Sequence, residues 1–163
     1  MKKNLFGFTL PELLIVLTIL ASLFGLTSIN LLNAYHKNTL GTSVTTLVND
    51  LKHQQLKAMT GDTEGQASAN DYGIYFPPDG SSYILFQGNS YSESDPSNFS
   101  INLNNDLRFS SILVQNSQII SAKGSGEFSN YNTNFDNITL QNVRTDETKT
   151  IQINQLGTII NIY

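Results

Sequence analysis

The chain has 163 residues and a mass of 18.0 kDa, room for one domain of ordinary size with an appendage but not for two full domains. It contains no cysteine, which excludes disulfides and thiolate metal sites. Its formal net charge of −4 and 39% hydrophobic content are ordinary, but the distribution is not: residues 13–26 are almost wholly apolar, while the remainder is rich in Asn, Ser, Thr and Gly, so the average conceals a membrane segment.

Lys2 and Lys3 precede the stretch LFGFTLPELLIVLTILASLFG, which starts at Leu5 and holds one acidic residue, Glu12. The apolar run from Phe8 to Leu32, diluted by Thr, Ser and Asn30, is long enough at about 1.5 Å per residue to cross a hydrocarbon core of about 30 Å, and it reads as a single span. The two lysines place the short amino-terminal end in the cytoplasm, which leaves everything after Asn33 on the far side. A secretory signal peptide has the same basic-then-apolar order. However, no small-x-small cleavage site closes the run, and the helical pattern continues for about thirty residues.

These residues carry a specific resemblance: KKNLFGFTLPELLIVLTIL resembles the class III signal of type IV prepilins and type II secretion pseudopilins. The resemblance implies that a membrane peptidase cuts between Gly7 and Phe8 and methylates the new terminus, with Thr9 and Leu10 as spacer and Glu12 as the family's acidic residue. Pro11 stands where a branched aliphatic is more usual. It is tolerated in the first helical turn, whose backbone N–H groups lack partners in any case. A carboxylate in hydrocarbon costs about 2.5 to 3.5 kcal/mol on insertion scales and so needs a partner. The resemblance implies that this partner is the terminal ammonium of a neighbouring subunit, a pair that sets axial register rather than adding stability. The alternative for Glu12 alone is an interfacial position in a plain signal anchor, near a helix amino terminus that favours negative charge.

Past the span, Leu40, Val44, Leu47, Leu51 and Ala58 recur at spacings of three, four and seven, with Val48 and Met59 flanking, the stripe of an amphipathic helix. Gly61, after Lys52, His53 and Lys57, matches a helix stop with cations in the last turns. A helix from Thr9 to Thr60 would be about 75 Å long at about 1.5 Å per residue, far more than a membrane requires, so its outer half must pack on something else. Gly25 and the Thr27, Ser28 pair read as tolerated within it.

From Asp62 onward, short runs of Tyr, Ile, Phe and Thr separated by Gly, Pro, Asn and Asp predict strands and turns. DYGIYF and SSYILFQG around PPDG read as a hairpin, with Pro78, Asp79 and Gly80 in the turn. Further strands are expected at Phe99–Leu103, Leu107–Val114, Gln118–Ser121, Ile138–Val143, Thr150–Asn154 and Thr158–Tyr163, so loss of Ile160–Tyr163 should damage the fold. The order GEF, NITLQN, TIQINQLGTI is similar to the carboxy-terminal half of minor pseudopilins of the H type, which implies a β-sandwich head on the long helix.

Catalytic chemistry is thin. His36 and His53, the two histidines, both fall on the predicted helix, and only Asp50, three before His53, approaches a metal-pair spacing. GSGEF around Ser125 is not the Gly-x-Ser-x-Gly of a nucleophile elbow. The acidic residues Asp62, Glu64, Glu93, Asp95 and Asp136 fit no EF-hand loop, and they read as solvated loop carboxylates rather than holders of a structural ion. NFS at Asn98 and NIT at Asn137 match the glycosylation sequon in an Asn-rich chain. From Asp62 onward there are eleven acidic and four basic residues, a charge near −7 that disfavours DNA capture by a basic stripe. Residues 30–60 carry three lysines against Asp50, an opposite sign suited to stem-to-head contacts between subunits.

The expectation is an α+β, pilin-like chain divided as a cleaved leader (1–7), a transmembrane and filament-core helix (8–32), the amphipathic outer half of that helix (33–60) and an antiparallel β-rich head (61–163). The resemblance implies an assembly subunit of a pilus or secretion pseudopilus, minor rather than major, in the cytoplasmic membrane and then in an extracellular or periplasmic filament. Its implied partners are prepilin peptidase, other pilin or pseudopilin subunits through helix packing and a membrane assembly platform, while the residues of the head themselves point to no enzyme activity, cofactor or metal site and disfavour nucleic acid. The alternative is a permanently anchored binding module whose β-head recognises a surface ligand. Cleavage after Gly7 separates the two.

Overall fold

The computed structural model describes residues 9–65 and 67–163, without the side chains of residues 26–38 and 160. Its first element, α1, runs Leu10–Thr60. The chain divides into two compact units, residues 1–36 and 37–163.

In the second unit, Leu40, Val44, Leu47, Val48, Leu51 and Ala58 are all buried, as the stripe predicts. Each such aliphatic side chain larger than alanine contributes about 1.5 to 3 kcal/mol when fully covered. Met59, expected to flank the stripe, is instead 50% exposed, while Gln54 is buried. Gln54 lies three after Leu51 and four before Ala58 and therefore shares their face. The helix stops where expected. Gly61 has φ +68°, its N–H donates to the Ala58 carbonyl, and the Asp62 N–H reaches back to Lys57 O at 3.0 Å, the paired bonds of a Schellman motif that needs a left-handed residue.

Eight antiparallel strands follow: β1 (Tyr72–Tyr75), β2 (Ser82–Gln87), β3 (Phe99–Asn102), β4 (Leu107–Val114), β5 (Gln118–Ser121), β6 (Asp136–Asn142), β7 (Thr148–Ile153) and β8 (Ile159–Ile162). They form two four-stranded sheets, ordered β3-β2-β1-β5 and β4-β6-β7-β8. The arrangement is α+β, as expected. Every predicted strand is present. β4 and β5 match in extent, whereas β6 and β7 each begin two residues earlier than expected. The β1–β2 hairpin turns at Pro77–Gly80, with the Gly80 N–H donating to Pro77 O. β6 alternates buried and half-buried residues along its whole length, the pattern of a strand with one face on a core. β8 pairs with β7, and Thr150 and Tyr163 exchange both backbone hydrogen bonds, so the chain end belongs to the sheet.

One hydrophobic cluster joins the helix stripe to both sheets, through Ile74 and Tyr83 of the first and Leu107, Ile138, Leu140 and Ile151 of the second. Phe76 meets Phe109 edge-on at 5.1 Å between ring centroids, and Tyr83 meets Phe109 at 6.3 Å. Tyr83 also donates to Asp50 Oδ2 at 2.5 Å, tying the helix to β2. Gln55 Nε2 donates to the carbonyls of Gly126 and Leu156, pinning two loops to the last helical turns. In mid-β1, Gly73 lies opposite Phe86, and a Cβ there would run into the Phe86 ring and the Ile119 carbonyl. Glycine is thus required by close approach.

Gly73→Ala is expected to lower stability by about 1 to 3 kcal/mol through overpacking, read as a lower urea midpoint with an unchanged slope. A pH effect follows from the two buried tyrosines. Burial first, then the charges of Glu64 and Asp62, pushes the Tyr72 hydroxyl up to about 12, and burial followed by the Asp50 carboxylate pushes Tyr83 up as well. A phenol with its folded pKa above the unfolded value of about 10 stabilises the fold fully below pH 10, and that contribution is lost as pH rises through about 12. The urea midpoint should therefore fall between pH 9 and pH 11, and fall less in Tyr83→Phe. Equal midpoints at the two pH values in the parent chain would refute this.

Candidate functional site

The site residues inferred from sequence are Gly7, Phe8 and Glu12. Gly7 and Phe8 lie outside the described residues. Glu12 is exposed and stands in the first turn of α1. The Leu13 N–H donates to the Thr9 carbonyl at 3.1 Å, which makes Thr9 the residue that opens the helix, with Pro11 inside the first turn, where its missing N–H costs nothing. Thr9 and Glu12 have the Thr-x-x-Glu spacing of a capping box. The helix therefore gives Glu12 a second reason for its place, since its carboxylate lies near the positive end of the helix dipole.

Beyond Glu12, the helix is apolar on every side. Leu13, Leu14, Ile15, Val16 and Leu17 run consecutively around its circumference, 45 to 60% exposed, and Ile19, Leu20, Leu23 and Phe24 continue the coat. A helix that is apolar all round belongs inside hydrocarbon or among other helices. Its hydroxyls fit such a medium, because Thr18 Oγ1 donates to the Ile15 carbonyl and Ser22 Oγ to the Ile19 carbonyl, each at 2.8 Å. The carbonyls of its own helix offer Glu12 nothing, since an ionised carboxylate only accepts hydrogen bonds, and the donors within its chain are the free N–H groups of the first turn. Among the described residues, no helix is long and apolar enough to cross a membrane. Of the expected span at 8–32, residue 8 and the side chains of residues 26–32 lie outside what is described.

The head offers little to chemistry. His53 is exposed on α1, and the side chain of His36 lies outside those described. Among the described residues, no three His, Cys, Asp or Glu side chains gather as a group to hold a metal ion. Ser125 sits in an exposed turn, where its Oγ accepts from the Glu127 N–H. The side-chain amides of both sequons are engaged, Asn98 Nδ2 donating to Ser92 O and Asn137 Nδ2 to Asp136 Oδ1.

Compared with curated proteins and with solved structures, the chain matches none. Residues 2–28 match the prokaryotic N-terminal methylation motif. That interval covers the basic leader, the Gly7–Phe8 junction, Glu12 and the apolar coat of α1. The chain therefore carries the class III signal typical of type IV pilin and pseudopilin precursors, a structural rather than an enzymatic motif.

Proposed function

We propose that this protein is a structural assembly subunit of a type IV pilus or a type II secretion-like pseudopilus, cut after Gly7 by prepilin peptidase, methylated on Phe8 and polymerised through α1. The observation that carries the reading is a helix apolar on every face with a single carboxylate at its head. Such a surface finds cover only outside its own chain. It is a single span of the cytoplasmic membrane before assembly and a core of packed helices afterwards, with the head outside the cytoplasm in both states. Glu12 then pairs with the terminal ammonium of the neighbouring subunit, and because an unpaired carboxylate is penalised in every other register, the pair selects one axial stagger.

The acidic β-head suits a minor subunit, and of the segments similar to H-type pseudopilins NITLQN lies in β6 and TIQINQLGTI runs from β7 to the start of β8. The lysines of the outer helix against the acidic head provide opposite signs for contacts between subunits and an assembly platform. The role is structural, with no catalytic residue, cofactor, metal or nucleic acid.

Protein purified from membranes containing the peptidase should have the intact mass of residues 8–163 plus one methyl group, and that of residues 1–163 without the peptidase. A full-length mass despite active peptidase would leave a permanent anchor in place of a filament subunit. Glu12→Ala should leave thermal unfolding of the head unchanged yet abolish assembly, at a cost of about 3 to 5 kcal/mol per contact when one partner of a buried pair is removed. Filament yield equal to the parent's would sink the register role.

A further inference from the structure

Strand alternation gives the first sheet two faces. Ile74 of β1 enters the core cluster, so its neighbour Tyr75 points to the opposite face, together with Phe86 of β2, whose partner across the ladder is Gly73. Onto that face the connection between β2 and β3 lays Tyr91. Its ring stacks on that of Tyr75 at 4.0 Å between centroids and 4° from parallel, and Phe86 meets it edge-on at 6.0 Å. The Tyr91 N–H donates to Gln118 Oε1 at 3.0 Å, which holds the connection down. Among the described side chains this is the one tyrosine pair in ring contact. The stack needs only rings, yet both carry hydroxyls that no group of the described chain engages. The buried phenols of Tyr72 and Tyr83, by contrast, donate to Asp62 O and Asp50 Oδ2.

With no cysteine and no tryptophan in the chain, phenols are the side chains that yield a single electron most readily. We infer that Tyr75 and Tyr91 form an oxidative coupling site, at which two equivalents of a one-electron oxidant, of the peroxidase or photoexcited-metal class, join them as a dityrosine. Each ring gives one electron to the oxidant and its phenolic proton to water. The two phenoxyl radicals combine through a carbon ortho to each oxygen, and the hydrogens on those carbons then move to the oxygens. Both phenols are thereby restored, and the net loss is two protons and two electrons. Both rings are half-buried and within reach of a small oxidant, whereas Tyr72 and Tyr83 are closed off at 1% exposure each. Closing the bond requires the rings to slide and tilt out of parallel. Tyr75 is fixed in the ladder, so that movement falls to Tyr91 on the connection. The product ties β1 to the β2–β3 connection, a covalent staple that a chain without cysteine cannot make as a disulfide. The site lies in the unit of residues 37–163 and is independent of Glu12 and of assembly.

Brief illumination of the dilute full chain in detergent, with ruthenium tris-bipyridyl and persulfate as the oxidant, tests this. The expected product is a monomer lighter than the parent by two hydrogen atoms, with dityrosine fluorescence and a digest in which the peptides holding Tyr75 and Tyr91 are joined. Tyr75→Phe and Tyr91→Phe should each abolish that product while leaving the fold intact, since both keep a ring in the stack. Tyr163→Phe, which alters an exposed phenol at the chain end, should leave the yield unchanged. Urea-unfolded chain should lose the Tyr75–Tyr91 product, because only the fold brings the two rings together. The proposal is overturned by a monomer that gains only oxygen, at Met59 or elsewhere, by a yield that survives Tyr91→Phe, or by an equal yield from the unfolded chain.

Discussion

The head depends on the burial of one face of α1 against two separate four-stranded sheets, with the Phe109 N–H of β4 donating to Gly80 O in the β1–β2 turn. The stripe from Leu40 to Leu51 enters the same hydrophobic cluster as residues from both sheets, which also meet each other directly through Tyr83 and Phe109. Polar ties fix the helix on this core: Tyr83 to Asp50 at mid-stripe, and Gln55 to two loop carbonyls near its end. The Schellman stop at Gly61 then releases the chain into the loop that leads to β1. The first sheet holds β5 beside β1, while β4 and β6, its neighbours in sequence, pair in the second. The chain thus passes between sheets on either side of β5, an interleaving suited to a head that folds as one unit.

The same helix begins under the opposite rule. Around residues 13–24 there is no polar face to direct toward water, and the intrahelical bonds of Thr18 and Ser22 remove the remaining hydroxyl demand. Apolar cover for this surface must come from lipid or from other helices. Those two media differ little to a leucine but greatly to a carboxylate, for which a lipid tail offers no partner. On the function proposed above, a single charged position thereby distinguishes the membrane state of the subunit from its assembled state. The greasy coat, by itself, cannot.

Most of the head was legible from residue pattern alone, because alternation and turn chemistry are local properties. The hairpin around Pro77–Gly80 and the full extents of β4 and β5 follow from them. Strand order was not legible, since the neighbours of β5 are chosen by distant partners. Gln54 and Met59 show where helical periodicity misleads. Gln54 shares the angular position of the buried stripe but is polar, and Met59 is apolar but turns outward, so hydrophobicity pointed the wrong way for both. Of the site residues, Glu12 was visible as an isolated charge in an apolar run, whereas the capping-box spacing of Thr9 and Glu12 was obscured by the stronger membrane signal.

One helix serving two environments is most directly tested by comparing the chain with a version that begins at residue 37, both in water without detergent. Sedimentation and near-ultraviolet circular dichroism should show residues 37–163 as a folded monomer, while the whole chain associates and disperses only in detergent. If residues 37–163 fail to fold, or the whole chain is itself monomeric in water, the division of α1 into a half satisfied by its own head and a half satisfied only by other molecules is wrong.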